Sequence, residues 1–196
     1  MPTPKLTGKN VAVIYSAAAS YKVLVTVNGK ALAGEKVTVK FNGKTYSLTT
    51  DKNGYATLKL NTKVKVRKYT INVEYNGVKT SNTLTVKHII KAKNIKAKKS
   101  KRVLKIKVST NKVNGKFLKG KKLTLKVKGK TIKAKINKKG VATFKVKKSI
   151  LNKLKVGKKY KYKVSYGKDS VTKKIAVRNR DNYYPYHFFY YFLYIV

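Results

Sequence analysis

Residues 34–60 read GEKVTVKFNGKTYSLTTDKNGYATLKL, and 86 positions later the pattern returns in residues 120–146 as GKKLTLKVKGKTIKAKINKKGVATFKV. Glycines fall at equivalent places in both copies, and between them apolar residues alternate with Thr, Ser and Lys. Such period-two alternation, broken by turns such as Asn42-Gly43, is typical of short β-strands joined by hairpins, because glycine accepts the positive φ that these turns need. The stretch therefore predicts a three-stranded β-meander that occurs twice.

The repeat extends beyond the meander and predicts the fold of the whole chain. About seven short strands per copy, with turn residues about every 8–12 positions, are typical of a two-sheet sandwich, with a closed barrel as the alternative. We therefore predict an all-β protein of two tandem β-sandwich domains, residues 5–87 and 88–177, with a short aromatic tail at residues 178–196. Residues 88–101 would supply a linker and a lead-in strand, so that the domains lie in line. Five extra residues of the second copy are expected within residues 149–159.

The charge of the chain is its strongest compositional feature. Its 196 residues include 50 Lys and Arg, 5 Asp and Glu and no cysteine, for a formal net charge of +45. Residues 1–87 hold 15 basic and 3 acidic residues (+12), whereas residues 88–177 hold 33 basic and 1 acidic residue (+32). The repulsion among so many positive charges favours binding to an anionic partner. Because nearly all of the basic residues are Lys, which lacks the planar fork of Arg, the composition predicts diffuse attraction.

Alternate residues along each predicted strand point to opposite faces of the sheet, so one face is apolar and the other carries lysines. Tyr69, Tyr75, Tyr160, Tyr162 and Tyr166 share the parity of the apolar residues, so we expect core positions rather than an exposed stacking platform for bases or sugars. The lysines take the opposite parity, where part of their charge serves solubility. We predict that an anionic polymer is contacted, with little sequence selectivity, by Lys126, Lys128, Lys133, Lys135, Lys145, Lys161 and Lys163.

Residues that could carry catalysis are scarce. The candidates are Glu35, Asp51, Glu74, Asp169, Asp181, His88 and His187. Asp51 is expected to form a turn through its side chain, and its counterpart in the second copy is Asn137, which cannot act as a general base. His88 is expected to be a solvated linker residue. Because calcium-loop, phosphate-loop and His-x-His patterns do not occur, we predict no enzyme, no catalytic residue, no cofactor, no metal site and no small-molecule substrate.

The first repeat carries the pattern K-N-V, then V-N-G-K-x-L-x-G-x-x-V-T-V-x-x-N-G-K-T-Y-x-x-x-T-D-x-N-G-Y-A-x-L, and ends in Y-x-I-x-V-x-Y-N-G-V-x-x-S-N-T-L-T-V. Over residues 5–177 the chain resembles the Ig-like repeats of adhesin-like surface proteins of methanogenic archaea, related in style to bacterial Ig-like domains of the invasin and intimin type. The second repeat is similar to the lysine-rich repeats that are found in such proteins. The resemblance implies an envelope-associated stalk or adhesive segment, without indicating a ligand.

Both ends of the chain depart from that pattern. Residues 1–7, MPTPKLT, show no secretory signal, so we expect a fragment or a shortened relic of a longer secreted protein. Residues 178–196, RNRDNYYPYHFFYYFLYIV, differ sharply in composition, and Tyr183–Val196 is shorter than the ~20 residues of a membrane-spanning helix. Three alternatives are an aromatic segment at a membrane interface, a terminal strand or sticky peptide, and translation beyond the true end of the domain.

Two functions from different classes fit these features. The first is a non-enzymatic, cell-surface adhesin-like protein, in which the repeats form a stalk and the lysines attach it to an anionic cell-wall polymer, a glycan or a host surface. The second is an intracellular nucleic-acid-binding protein of the ribosomal or chromatin type. The tandem repeat, the scarcity of Arg and the inward tyrosines favour the first. Cellular location would separate the two, whereas salt dependence would not, because counterion release accompanies binding to any polyanion.

Overall fold

The computed structural model describes residues 2–99 and 101–179, so most of the aromatic tail lies outside the described residues. The strands of the first repeat are β1 (Lys5–Gly8), β2 (Val11–Ile14), β3 (Ser20–Val27), β4 (Lys30–Ala31), β5 (Lys36–Phe41), β6 (Lys44–Thr49), β7 (Tyr55–Lys59), β8 (Lys68–Tyr75) and β9 (Val78–Lys87). The elements of the second repeat are β10 (Ile90–Lys91), β11 (Ile95–Lys98), β12 (Val103–Thr110), β13 (Lys122–Val127), β14 (Lys130–Lys135), β15 (Val141–Lys147), α1 (Lys148–Leu151), β16 (Lys159–Tyr166) and β17 (Asp169–Arg178).

Each repeat forms two sheets. In the first repeat, one sheet has the order β2-β9-β8-β5-β6, and the other joins β1, β3 and β7, with β4 beside β3. In the second repeat the orders are β11-β17-β16-β13-β14 and β10-β12-β15. The lead-in segment is split between the sheets, because β1 pairs antiparallel with β3 and β2 pairs parallel with β9. β10 and β11 repeat this division. The prediction of an all-β protein with two tandem Ig-like sandwiches is therefore confirmed.

The tyrosines lie where strand parity predicts. Tyr69, Tyr75 and Tyr162 are buried, and Tyr160 and Tyr166 are partly buried and packed against the core. Successive side chains of a strand point to opposite faces, so aromatic residues at every second or fourth position join the apolar layer between the sheets. These five tyrosines therefore serve mainly as core residues, as the alternation along the strands predicts.

The hydroxyl groups of three buried tyrosines join elements that are distant in sequence. Tyr21 donates to Asn82 Oδ1 at 2.6 Å, Tyr75 donates to Glu35 Oε2 at 2.8 Å, and Tyr162 donates to a backbone carbonyl. Burial raises the pKa of Tyr21 and of Tyr162. The hydrogen bond to the Glu35 carboxylate is the main cause of the raised pKa of Tyr75. All three hydroxyls therefore remain protonated donors at neutral pH.

The turn between β6 and β7 confirms the structural interpretation of Asp51. Its Oδ1 accepts hydrogen bonds from the backbone N–H groups of Asn53 at 2.9 Å and Tyr55 at 3.0 Å. In the second repeat, Asn137 accepts the two equivalent bonds at 2.9 and 3.0 Å. In both turns the side-chain oxygen accepts hydrogen bonds from backbone N–H groups that would otherwise have no acceptor within the turn.

The extra residues of the second repeat lie between β15 and β16, in the region predicted from residues 149–159. This segment contains the helical turn α1, which begins one residue before that range and was not predicted. Lys99 Nζ donates to the carbonyl oxygens of Leu151 at 3.1 Å, Asn152 at 2.8 Å and Leu154 at 2.6 Å. The ammonium group thus supplies a charged donor to the carbonyl of the last helical residue and to two carbonyls of the turn that follows it. Leu151 and Leu154 are buried, so the insertion also extends the core.

We expect Lys99→Met to lower the free energy of unfolding of the second repeat by about 1–3 kcal/mol, because three carbonyl oxygens lose a charged donor. Calorimetric unfolding of the full chain measures the change. Lys101→Met removes an exposed lysine two positions later and is expected to change stability by less than about 0.5 kcal/mol. Equal effects of the two substitutions would show that the carbonyl contacts contribute nothing to stability.

Candidate anion-binding surface and repeat junction

The outward positions of the five-stranded sheet in the second repeat form a continuous basic surface, here called the lysine face. Lys126 lies directly opposite Lys163 on the neighbouring strand, and Lys161 lies opposite Lys174. None of the outward positions on these five strands is acidic. The lysine face consists of Lys96, Lys98, Lys122, Lys126, Lys133, Lys135, Lys159, Lys161, Lys163, Lys174 and Arg178.

The seven lysines predicted to contact a polyanion are all exposed, but they do not share one surface. Five of them belong to the lysine face. Lys128 lies in the β13–β14 turn with φ +46°, and its Nζ is 4.9 Å from the centre of the Tyr160 ring. Lys145 lies on the other sheet, opposite Lys105, so it faces away from the other six. Their contact with a polyanion stays a prediction.

Like charges concentrated in this way do not stabilise the fold. Neighbouring strands are only about 4.8 Å apart, and like charges placed directly opposite each other, such as Lys126 and Lys163, are destabilising. Long lysine side chains reduce this repulsion only in part, by spreading their ammonium groups into water. A surface that costs stability and contains no balancing acid is well suited to an anionic ligand.

The first repeat shows that the sandwich does not require this charge. Its equivalent sheet carries Ser47, Thr49, Thr70 and Asn72 at the positions that Lys133, Lys135, Lys161 and Lys163 occupy in the second repeat. Its outward positions hold five basic residues and one acid, Glu74, which lies 3.9 Å from Lys79. Those basic residues are Lys36, Lys40, Lys68, Lys79 and Lys87. Two copies of one framework therefore differ in charge density, with five basic residues and one acid on this sheet in the first repeat and eleven basic residues and no acid in the second.

The segment that joins the repeats is held by a buried carboxylate. Asp169 is completely buried; its Oδ2 accepts hydrogen bonds from the backbone N–H groups of Ile89 at 2.8 Å and Ile90 at 3.2 Å. Its Oδ1 lies 2.5 Å from Nδ1 of His88, whose side chain is 49% exposed. His88 is thus an exposed residue of the joining segment, as expected, but it is not only solvated, because one ring nitrogen faces Asp169.

The two repeats also contact each other directly. Tyr15 Oη accepts a hydrogen bond of 2.9 Å from the backbone N–H of Lys168, and its ring meets Tyr166 edge-on with 6.2 Å between ring centres. On the other side, the backbone N–H of Ala18 donates to Asn114 Oδ1 at 2.9 Å. The sequence predicted domains in line but none of these contacts. They fix the end of the first repeat against two turns of the second.

Gly167 permits the closest of these approaches. It has φ +55°, and a Cβ built on it would lie 2.3 Å from Tyr15 Oη. We therefore expect Gly167→Ala to push the two repeats apart and to accelerate hydrogen exchange at the amide of Lys168, by at least about tenfold if the bond to Tyr15 is broken. Gly77→Ala is the control, because it adds a Cβ at φ +78° in the equivalent turn with nothing within 4 Å. Unchanged exchange in Gly167→Ala would contradict the expected close contact.

A groove of about 880 Å³ runs along this junction. Its charged lining residues come from both repeats: Lys65 and Arg67 from the segment before β8, and Lys126, Lys163 and Lys168 from the second repeat. His88 lines it as well, and no acidic residue does so within the part of the chain that the structure describes. Sequence reasoning missed this groove, although the two lysines that it shares with the lysine face were among the predicted residues.

No protein-family model matches the chain, and no curated protein matches it. Among solved structures, it is similar to the I9–I11 tandem of titin (19% identity, 90% of this chain and 66% of that one, TM-score 0.41). It is also similar to the D0–D1 domain of intimin (16%, 88% and 96%, TM-score 0.39). A third structure is the Ca²⁺-stabilised adhesin with which an Antarctic bacterium binds ice (19%, 92% and 50%, TM-score 0.32). The chain thus spans about two thirds of that titin segment and half of that adhesin structure.

These likenesses are too distant to support a function, so the strand pairings described above carry the assignment of the fold. In residues 2–99 and 101–179, no group of three or more His, Cys, Asp or Glu side chains is placed to hold a metal ion. Within the same residues, no helix has the length and apolar character needed to cross a membrane.

Proposed function

We propose that this chain is a non-enzymatic, adhesin-like cell-surface protein with Ig-like domains at residues 5–87 and 88–177. The first domain is mainly a spacer. The second attaches to an anionic cell-wall polymer, a glycan or a host surface through the lysine face. The contrast between the two repeats carries the proposal, because the outward positions of the same five strands bear eleven basic residues and no acid in the second repeat but five basic residues and one acid in the first.

The chemistry of the surface supports attachment by many weak contacts. Exposed ammonium groups on flexible stems make point-charge contacts of low geometric selectivity, which suits a polymer of repeating charges. Each contact releases counterions, so the affinity falls steeply with salt. The junction contacts of Tyr15 and Asp169 hold the spacer against the binding domain. The methanogen origin implied by the sequence resemblance remains a prediction, since the structures compared above do not bear on it.

A nucleic-acid-binding function is the alternative, favoured by the formal net charge of +45. Against it stand the small number of arginines and the burial of the tyrosines, because nonspecific binding of single strands uses exposed aromatic side chains. The alternative predicts a different location for the protein in the cell.

The first test is fractionation of the source cells, with an antibody to residues 34–60 and protease treatment of intact cells. We expect the protein in the envelope fraction and its loss on protease treatment. Recovery in the cytosol, protected from protease and bound to nucleic acid, would overturn the surface assignment. A cytosolic marker protein that survives the same treatment is the control for intact cells.

A further inference from the structure

The groove at the repeat junction combines charge with a fixed shape, unlike the open lysine face. Its wall in the first repeat is the segment before β8. Thr62 Oγ1 donates to the carbonyl of Ala17 at 2.6 Å, and Tyr69 Oη donates to the carbonyl of Lys65 at 2.7 Å. Val64, between them, is buried. The exposed side chains of Lys65 and Arg67 therefore project from a well-anchored backbone.

Arg67 is one of only four arginines in the chain, and its position is defined by an aromatic ring. Its guanidinium carbon lies 4.6 Å from the centre of the Tyr69 ring, while the side chain remains exposed. Stacking of this kind restrains the planar group without using its N–H donors. A stacked guanidinium can therefore offer a paired set of donors to a carboxylate, sulfate or phosphate group.

The opposite wall continues the lysine face into the groove. Lys126 and Lys163, which face each other across β13 and β16, belong to both surfaces. An extended anionic chain that lies on the lysine face can thus continue into the groove and remain next to basic side chains along its whole path. The volume of about 880 Å³ is within the range of about 300–1,000 Å³ that is typical of ligand-binding clefts.

The neutral lining residues favour a saccharide over a nucleic acid. Asn42, Ser165 and Ser170 line the groove with groups that both donate and accept hydrogen bonds, as sugar hydroxyls do. The aromatic ring in the lining, Tyr69, is buried to 7% exposure and is covered by Arg67. It therefore cannot act as the exposed stacking surface that unpaired bases use.

From these features the geometry points to a second binding site, in which the groove between the repeats holds an oxyanion-bearing unit of an acidic polysaccharide. Arg67 and Lys65 bind its carboxylate, sulfate or phosphate group from one side, and Lys126, Lys163 and Lys168 bind it from the other. The inference rests on the proposed function, since it assumes that the polymer on the lysine face is a glycan. It adds selectivity to that function, because a concave groove admits only groups that fit it, whereas the open lysine face does not restrict the shape of its ligand.

The test measures binding of the full chain to oligosaccharides of about ten units that carry carboxylate (oligogalacturonate) or sulfate (a heparin fragment). The double variant Lys65→Ser/Arg67→Ser removes two charges from the groove and leaves the lysine face intact. The matched control, Lys22→Ser/Lys59→Ser, removes two exposed lysines from the other sheet of the same repeat. We expect about 10- to 100-fold weaker binding for the groove variant and a change of less than about threefold for the control.

The outcomes distinguish a failure of the groove site alone from a failure of the proposed function. Equal losses in the two variants would overturn the groove site while leaving diffuse attachment intact. Failure of the unchanged chain to bind either oligosaccharide would overturn both. Stronger binding to a ten-nucleotide single-stranded DNA, with the same loss in the groove variant, would overturn the assignment to a saccharide. Arg67→Lys, which keeps the charge, is expected to show an intermediate loss because the stacked fork is absent, and unchanged melting temperatures confirm that the variants fold.

Discussion

Asp169→Val is expected to destabilise the second repeat by about 2–5 kcal/mol, the largest effect of any single substitution proposed for this chain. Valine is the residue of the first repeat at this position, Val78, so the substitution is compatible with the strand. The backbone N–H groups of Ile89 and Ile90 cannot be removed with the carboxylate, however, and they would remain buried without an acceptor. Denaturant unfolding of the full chain, followed by circular dichroism, measures the loss.

Two further variants separate the parts of this effect. Asp169→Asn keeps one acceptor oxygen and is expected to cost less than Asp169→Val. His88→Ala removes the half-exposed ring but leaves both backbone hydrogen bonds, so its cost is expected to stay below about 1 kcal/mol. Equal costs for His88→Ala and Asp169→Val would show that the contact between His88 and Asp169, and not the anchoring of the backbone, stabilises the junction. An unchanged midpoint for Asp169→Val would contradict the role of Asp169 altogether.

A graft of the first repeat's surface onto the second is expected to abolish most of the binding to anionic polymer. The four substitutions are Lys133→Ser, Lys135→Thr, Lys161→Thr and Lys163→Asn, each taken from the equivalent position of the first repeat. If each lysine neutralises one anionic group, the slope of log affinity against log salt concentration falls by about 3–4. The affinity near physiological salt is then expected to fall by about two to three orders of magnitude.

The matched control for the graft removes the same charge from elsewhere. Lys22→Ser, Lys30→Ser, Lys52→Ser and Lys59→Ser change four exposed lysines of the first repeat, so both variants have a net charge of +41 rather than +45. We expect the control to lose less than about tenfold in affinity, because distant charges are screened within about 8–10 Å. Equal losses would mean that total charge, and not the lysine face, determines binding. Titration by calorimetry at several salt concentrations gives both slopes.

The fold could be predicted because each of its determinants is local. Period-two alternation, Asn-Gly turns and the Asp51 and Asn137 turns act over a few residues, and the duplication supplies two independent readings of the same pattern. Helix α1 was not predicted, because four residues are too short to show helical periodicity and its end is satisfied by Lys99, about fifty residues away in sequence.

The binding surface could be predicted only in part, for reasons of topology. Alternation shows that Lys145 points outward, but the pairing of β15 with β12 decides that it lies on the other sheet from Lys126. The anchoring role of Asp169 could not be predicted, because its hydrogen-bond partners lie about eighty positions earlier in the sequence. The groove depends on contacts between the repeats, and no periodic pattern in the sequence encodes these. Asp169 did leave one signal, as the single acid among residues 88–177.

The parallel pairing within each repeat has a mechanical consequence. β2 is in register with β9 over Val11–Ile14 and Leu84–Lys87, and β11 is in register with β17 over Ile95–Lys98 and Ile175–Arg178. A force that pulls the ends of a repeat apart draws these two strands past each other, so it loads all four residue pairs at once and does not peel them singly. The hydrogen bonds of the parallel pair must then break together. Unfolding of each repeat under force is therefore governed by the rate of crossing a single barrier. Under tension it would hold its length and then yield in abrupt steps, one for each repeat.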